Sequence, residues 1–307
     1  MQVFQQMLIF FLLMLLGIYA RRKGIINEAN MSQISALAVN VAYPAIILSS
    51  VAGGGTRIEG AELLSAVGVA LLVLVAAVVL GLLVPRLLGF SKSERGMANA
   101  MVVFTNIGFM GLPMIQGIYG SDALIYMTVF LIPFNVLFYA YAIPTIQADG
   151  AAKRRFRLRD LLNVGMGACV LSVIVYFSGI RLPYVLSTTV QMIGSLTAPL
   201  AMMLIGASLP DIPWRAALTN LRIWAFVALK MLILPVVVLL AIAHFVPVTP
   251  VLLAVGLCAL ATPSGNMLAA LANLYNKESV PLATETIALT TAVSVFTMPL
   301  VAFFAGI

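Results

Sequence analysis

Two polar, helix-breaking stretches lie inside long apolar runs of this chain. The first is Thr105-Asn106-Ile107-Gly108-Phe109-Met110-Gly111-Leu112-Pro113, and the second is Thr262-Pro263-Ser264-Gly265-Asn266. Proline removes a backbone donor and glycine weakens a helix, so each stretch is expected to unwind in the middle of its span. Half-helix N-termini attract anions, while half-helix C-termini attract cations or a protonated side chain. Asn106 and Asn266 add amide donors and acceptors at the two breaks. With Gly108, Pro113, Pro263 and Ser264 they form the candidate binding set. Helix packing is the competing explanation, because Gly and Pro are frequent in membrane spans. An asparagine in each break favours binding.

Three charged residues extend this set. Lys230 falls near the centre of an apolar run, where a charge costs at least about 2.5–3.5 kcal/mol and marks function by default. It is expected either to counter half-helix carbonyl ends in place of a sodium ion or to attract an anionic substrate. Glu285, one turn inside the last apolar run, and Glu62, at the outer edge of another, are candidate proton carriers, with a solvated helix end as the alternative for both. The single histidine, His244, ends an apolar run and reads as interfacial. Cys169 and Cys258 fall inside apolar runs and read as buried thiols. No His/Cys spacing suits a metal, and no cofactor is expected. An intramembrane enzyme would need a catalytic dyad at membrane depth, and no run offers His with a nucleophile or paired aspartates.

These residues are set in a chain of 307 residues, 63% hydrophobic and 9% charged, with a mean hydropathy of +1.12. Soluble domains have roughly 45–50% apolar and about 25% charged residues, so a soluble enzyme is excluded, as is disorder. The apolar runs read as ten spans, at 3–20, 33–52, 61–84, 97–118, 123–146, 161–179, 187–208, 220–244, 249–274 and 281–305. The first has no basic stretch before it and Arg21, Arg22 and Lys23 after it, the reverse of a signal peptide, so it is expected to be retained. Basic residues sort by loop. After odd-numbered spans come Arg21, Arg22, Lys23, Arg86, Lys92, Arg95, Lys153, Arg154, Arg155, Arg157, Arg159, Arg215, Arg222 and Lys277. After even-numbered spans come only Arg57 and Arg181. By the positive-inside rule the odd loops are cytoplasmic and both termini face outward. The net charge of +7 is then an orientation signal, and nucleic acid is not an expected partner. The run 153–159 reads as an orientation signal beside anionic membrane lipid.

Shifting the chain by 155 residues pairs Gly24 with Gly179, Pro44 with Pro199 and Pro144 with Pro299. A one-residue slip adds Tyr119 with Tyr275. The expected organisation is therefore a first five-helix repeat over 1–146, a basic cytoplasmic linker over 147–160 and a second repeat over 161–307. An odd number of helices per repeat inverts the second relative to the first. The fold class is an all-α polytopic membrane protein with broken, crossing fourth and ninth spans. Such inverted repeats are common in secondary transporters, with the binding site near the midplane. A channel, the main alternative, would need an open polar path, whereas the polar groups here cluster at the breaks; a non-transport receptor is the other.

The stretch 105–113, followed by Ile118-Tyr119-Gly120, resembles the fourth-helix motif of the auxin efflux carrier family, which includes plant PIN carriers and bacterial transporters of malonate-like acids. Leu37-Ala38-Val39-Asn40-Val41-Ala42-Tyr43-Pro44-Ala45 is similar to that family's second helix, and Thr262 through Tyr275-Asn276 to Pro299 is similar to its ninth and tenth. The resemblance covers essentially the whole chain. It implies a secondary active transporter of a small organic anion, a mono- or dicarboxylate, moving by an elevator-type mechanism. Spans 1, 2, 6 and 7 would form a scaffold, often dimeric, and spans 3–5 and 8–10 the transport domain. Asn106 matches the family's substrate-contacting asparagine. Proton or sodium coupling and a bacterial inner membrane are the corresponding expectations for energy source and location. The chain departs from the plant carriers in its short middle loop and at Ala66, where a lysine one turn after the acidic position of Glu62 is replaced.

Overall fold

Helix-start signals and prolines account for most of the element boundaries. The computed structural model describes residues 1–53, 60–147, 156–212 and 214–307. Arg57, Lys153, Arg154 and Arg155, and most of the 147–160 linker, lie outside the described residues. The principal helices are α1 (Gln2–Arg22), α2 (Glu28–Ala52), α3 (Gly60–Leu87), α4 (Lys92–Val103), α5 (Ile107–Tyr119), α6 (Ser121–Ile146), α7 (Val164–Ser178), α8 (Tyr184–Asp211), α9 (Leu221–Phe245), α10 (Pro250–Ala261), α11 (Met267–Tyr275) and α12 (Lys277–Ala305). Among the described residues no strand occurs, and the one β-type pairing is an isolated bridge between Thr105 and Ser264.

Seven helices are long and apolar enough to cross a membrane: α1, α2, α3, α6, α8, α9 and α12. α5, α7 and α10 are shorter apolar helices. The expected fourth and ninth spans are each divided, into α4 with α5 and α10 with α11. α1 buries Met7, Phe10 and Met14 and exposes Phe4, Leu8, Leu12 and Leu16. A helix apolar on its exposed face as well as its core face belongs in lipid, and the chain is an integral membrane protein.

Two starts fall five residues earlier than the apolar runs suggest, because side-chain capping continues a helix into polar sequence. Asn27 accepts from the backbone N–H groups of Ala29 and Asn30, and Asn30 returns a bond to the Asn27 N–H. Ser91 and Glu94 form the same reciprocal box at the start of α4.

Four widened, π-type turns occur, at Ala38–Ala42, Ile107–Gly111, Phe138–Ala142 and Leu229–Ile233. Each ends two residues before a proline: Pro44, Pro113, Pro144 or Pro235. A proline ring crowds the carbonyl four residues back and offers no N–H to it. That carbonyl falls inside the widened turn in every case, so the helix accommodates proline by a bulge instead of breaking.

The chain divides into two compact units. The first contains Met1–Gly68, Gly108–Ile132 and Leu162–Asp211, and the second Val69–Ile107, Pro133–Leu161 and Ile212–Ile307. In the first, α1 lies along the second half of α8, and α2 packs on α7 and the first half of α8. Gly17 and Gly206 let α1 and α8 approach at backbone distance, since a Cβ at either would strike the carbonyl oxygen of Met203 or Met14. In the second, α12 is central and packs against α4, α9, α10 and α11.

Candidate functional site

The second unit holds both breaks, and they cross. α10 stops at Ala261 because Pro263 disfavours helical geometry at the residue before it; Thr262 is extended, with φ −65° and ψ 153°. Residues 262–266 leave the helix, as the sequence predicts. In the fourth span only Phe104, Thr105 and Asn106 leave it. Pro113 instead sits in the first turn of the regular part of α5, behind the widened turn that contains Gly108. The expected unwinding through Pro113 is thus confined to three residues upstream, where partners from the other break replace the lost helix bonds.

Those partners are exchanged reciprocally. The Asn106 N–H donates to the Pro263 carbonyl at 2.7 Å, and the Gly265 N–H donates to the Phe104 carbonyl at 2.9 Å. The Thr105 hydroxyl donates to the Ala259 carbonyl at 2.9 Å, and the Ser264 hydroxyl to the Met101 carbonyl at 2.9 Å. Each break therefore sends one hydroxyl into the last turn of the other half-helix, satisfying carbonyls that helix ends leave orphaned. The backbones meet closely at Gly265, where a Cβ would lie 3.2 Å from the Phe104 carbonyl oxygen. Phe104 itself is held edge-on against Phe134 and Phe138, at centroid distances of 5.7 and 5.1 Å.

The side chains around the crossing are buried. Asn106 is 6% exposed, and its Nδ2 has no hydrogen-bond partner. A buried amide donor left unpaired costs about 1–3 kcal/mol. Lys230 is 2% exposed and lies in the widened turn of α9. Its ammonium donates to the Thr262 carbonyl and lies 3.3 Å from the Met231 sulfur. The Thr262 hydroxyl donates to the Cys258 carbonyl. From α12, the Thr290 hydroxyl accepts the Ser264 N–H at 3.3 Å and donates to the Thr286 carbonyl at 2.8 Å.

Asn106 and Lys230 thus converge on adjacent carbonyls of the second break, those of Pro263 and Thr262, and Ser264 follows directly in the chain. Asn266 is exposed at the N-terminus of α11. Glu285 is half-buried on α12, one residue before Thr286. Gly108, Pro113 and Glu62 belong to the first unit. There Gly108 packs against the Tyr43 ring, Pro113 is buried, and the half-buried Glu62 accepts a hydrogen bond from Tyr126. Three hydroxyl residues, Thr105, Thr262 and Thr290, complete the crossing. Thr105 and Thr262 flank the breaks and so had a positional signal; Thr290 had none, because its role depends on the packing of α12. Among the described residues no group of His, Cys, Asp and Glu could hold a metal, and Cys169 and Cys258 are buried thiols outside any disulfide.

A family model for a membrane transport protein matches the chain over residues 2–155 and again over 152–302. No curated protein matches it.

Proposed function

The chain belongs to the auxin efflux carrier family of membrane transport proteins, and from that membership we propose that it is a secondary active transporter of a small organic anion, a mono- or dicarboxylate. The observation that carries the substrate class is Asn106: a buried amide nitrogen with no partner, at the crossing where α5 begins. A carboxylate oxygen would satisfy that donor, and the start of a helix favours negative charge. Neutral hydrogen bonds satisfy the backbone around it, so the amide is left for a ligand.

The architecture in this reading is ten spans in two inverted five-helix repeats. The two-fold exchange between 104–106 and 263–265 supports it. So do Gly24 and Gly179, the pair related by the 155-residue shift, which both adopt left-handed backbone at helix ends, with φ of 73° and 67°. Alternating access would move spans 3–5 and 8–10, elevator fashion, against a dimeric scaffold of spans 1, 2, 6 and 7. Glu62 and Glu285 are the carboxylates at which a coupling proton would ride, and a bacterial inner membrane is the proposed location.

The test is uptake of labelled carboxylates into vesicles reconstituted with the purified protein. Wild type should saturate and show counterflow, which a channel would not. Asn106→Ala should lower transport at least tenfold, which corresponds to about 1.4 kcal/mol or more of lost interaction, with unchanged membrane insertion and a melting temperature no lower than that of wild type. Wild-type transport by that variant would sink the crossing as the substrate site.

A further inference from the structure

A single buried amide closes the far end of two half-helices that meet at the crossing. α4 runs up to the crossing and α11 runs away from it, and both lie in the second unit. Asn276, directly after α11, is 4% exposed. Its Nδ2 donates to the Ser93 carbonyl in the first turn of α4 at 2.9 Å, and to the Ile146 carbonyl at 3.1 Å. Ile146 ends α6, where carbonyls lack partners within the helix. The Ser279 hydroxyl, near the start of α12, donates to the same Ser93 carbonyl at 3.1 Å. α4 and α6 meet here at backbone distance, since a Cβ on Gly96 would strike the Thr145 carbonyl oxygen.

The two ends match in register. Phe104 lies eleven residues on from Ser93, and Asn276 lies eleven residues on from Gly265. The Gly265 N–H donates to the Phe104 carbonyl at one end, and the Asn276 amide to the Ser93 carbonyl at the other. At about 1.5 Å of rise per residue, each side is about 16 Å long, so two antiparallel segments of equal length close a frame. Helices of 12 and 9 residues take their placement from tertiary contacts. Held at one end, such a pair is free to slide or splay; held at both, it keeps its register. The clasp is confined to one half of the chain. The slip that pairs Tyr119 with Tyr275 pairs Asn276 with Gly120, which has no side chain to donate.

We propose that Asn276 is a positioning residue for the substrate site: by clasping α11 to α4 at the end away from the crossing, it fixes where the Asn106 amide stands relative to 263–265. It makes no contact with substrate. The task needs two N–H donors on one short side chain, which an asparagine supplies and an ionised aspartate or a leucine of similar size does not. The transport consequence rests on the carrier reading; the clasp itself does not.

Spin-label distances and transport test it together. Cysteines are placed at Lys92 and Leu274, both exposed, in a variant lacking Cys169 and Cys258, and the distance between the two labels is measured in detergent without substrate. With Asn276 in place the distribution should be narrow. It should broaden or shift by several ångströms in Asn276→Leu and Asn276→Asp. Ser279→Ala, which removes one of the two side-chain donors to Ser93, should broaden it less. Asn273→Ala should leave it unchanged, because that amide bonds back to Ala269 on its own helix. In vesicles, Asn276→Leu should raise the half-saturating carboxylate concentration about fivefold or more, with the maximal rate per folded protein changed less than about twofold. A purely structural loss would lower the amount of folded protein and leave half-saturation as in wild type. Wild-type distances in a folded Asn276→Leu overturn the proposal, as does wild-type half-saturation in a variant whose distances have changed. If neither Asn276 variant folds, Ser279→Ala decides, and wild-type values for it in either measurement overturn the proposal. If wild-type vesicles move no carboxylate, the carrier reading fails, while the distances still decide whether Asn276 holds the frame.

Discussion

Single hydroxyls at the crossing do the work that backbone N–H groups do inside a helix. Ser264 is fully buried, and its hydroxyl is the donor to the Met101 carbonyl. Ser264→Ala leaves that carbonyl orphaned in a dry interior and should cost about 1–2 kcal/mol, read as a melting temperature lower by a few degrees. Thr105→Val, which keeps shape but removes the donor to Ala259, should behave alike. Because the two hydroxyls are part of one reciprocal exchange, each single variant already weakens the other bond, and the double variant should lose less than the sum of the singles, a coupling that a double-mutant cycle measures. Equal and additive losses would mean that the two breaks are held independently. Asn106 and Lys230 were legible in the sequence, because an amide or a charge in mid-span is too costly to keep without a use. Their partners were not, since a carbonyl acceptor has no residue type to betray it. Thr290 was invisible for the same reason: hydroxyls on a membrane helix usually bond back to their own helix, and only packing turns one toward Ser264.

Among the elements, the breaks and the bulges answer to different causes. Pro44, Pro113, Pro144 and Pro235 each follow a widened turn, whereas Pro85, Pro133 and Pro299 lie inside regular helix. At 104–106 and 262–266 the helix is fully interrupted, and there another backbone supplies missing bonds. Gly265 is where that backbone approaches, so Gly265→Val should force the two segments apart against the Phe104 carbonyl. The expected result is loss of transport by more than tenfold with retained secondary structure, measured by circular dichroism beside vesicle uptake. Wild-type activity would show that the 104–106 and 263–265 backbones need not touch. The ninth-span break is legible in the sequence, because Thr262-Pro263 carries a local stop signal. The extent of the fourth-span break is not, because Gly108 and Pro113 look like breakers. In the folded chain they are absorbed by a widened turn and a first helical turn.

For the molecule as a whole, composition and loop charge make a prediction about orientation. Single cysteines introduced at Gln2 and Ile307 into a variant lacking Cys169 and Cys258 should react with an impermeant maleimide from outside intact cells. A cysteine at Arg157 should react only after the membrane is opened. Labelling of both termini from inside would invert the assignment. What the sequence determined by itself was the environment and the count of apolar runs: lipid demands long stretches without charge, and that demand is written residue by residue. It also marked the two stretches where helices would be costly to continue. What only the tertiary structure decided was how those interruptions are satisfied. Phe104–Asn106 and Pro263–Gly265 lie far apart in the chain, and each is stable only because the other donates into it. Hydrogen bonds between distant backbones depend on position in space, which no local residue pattern encodes.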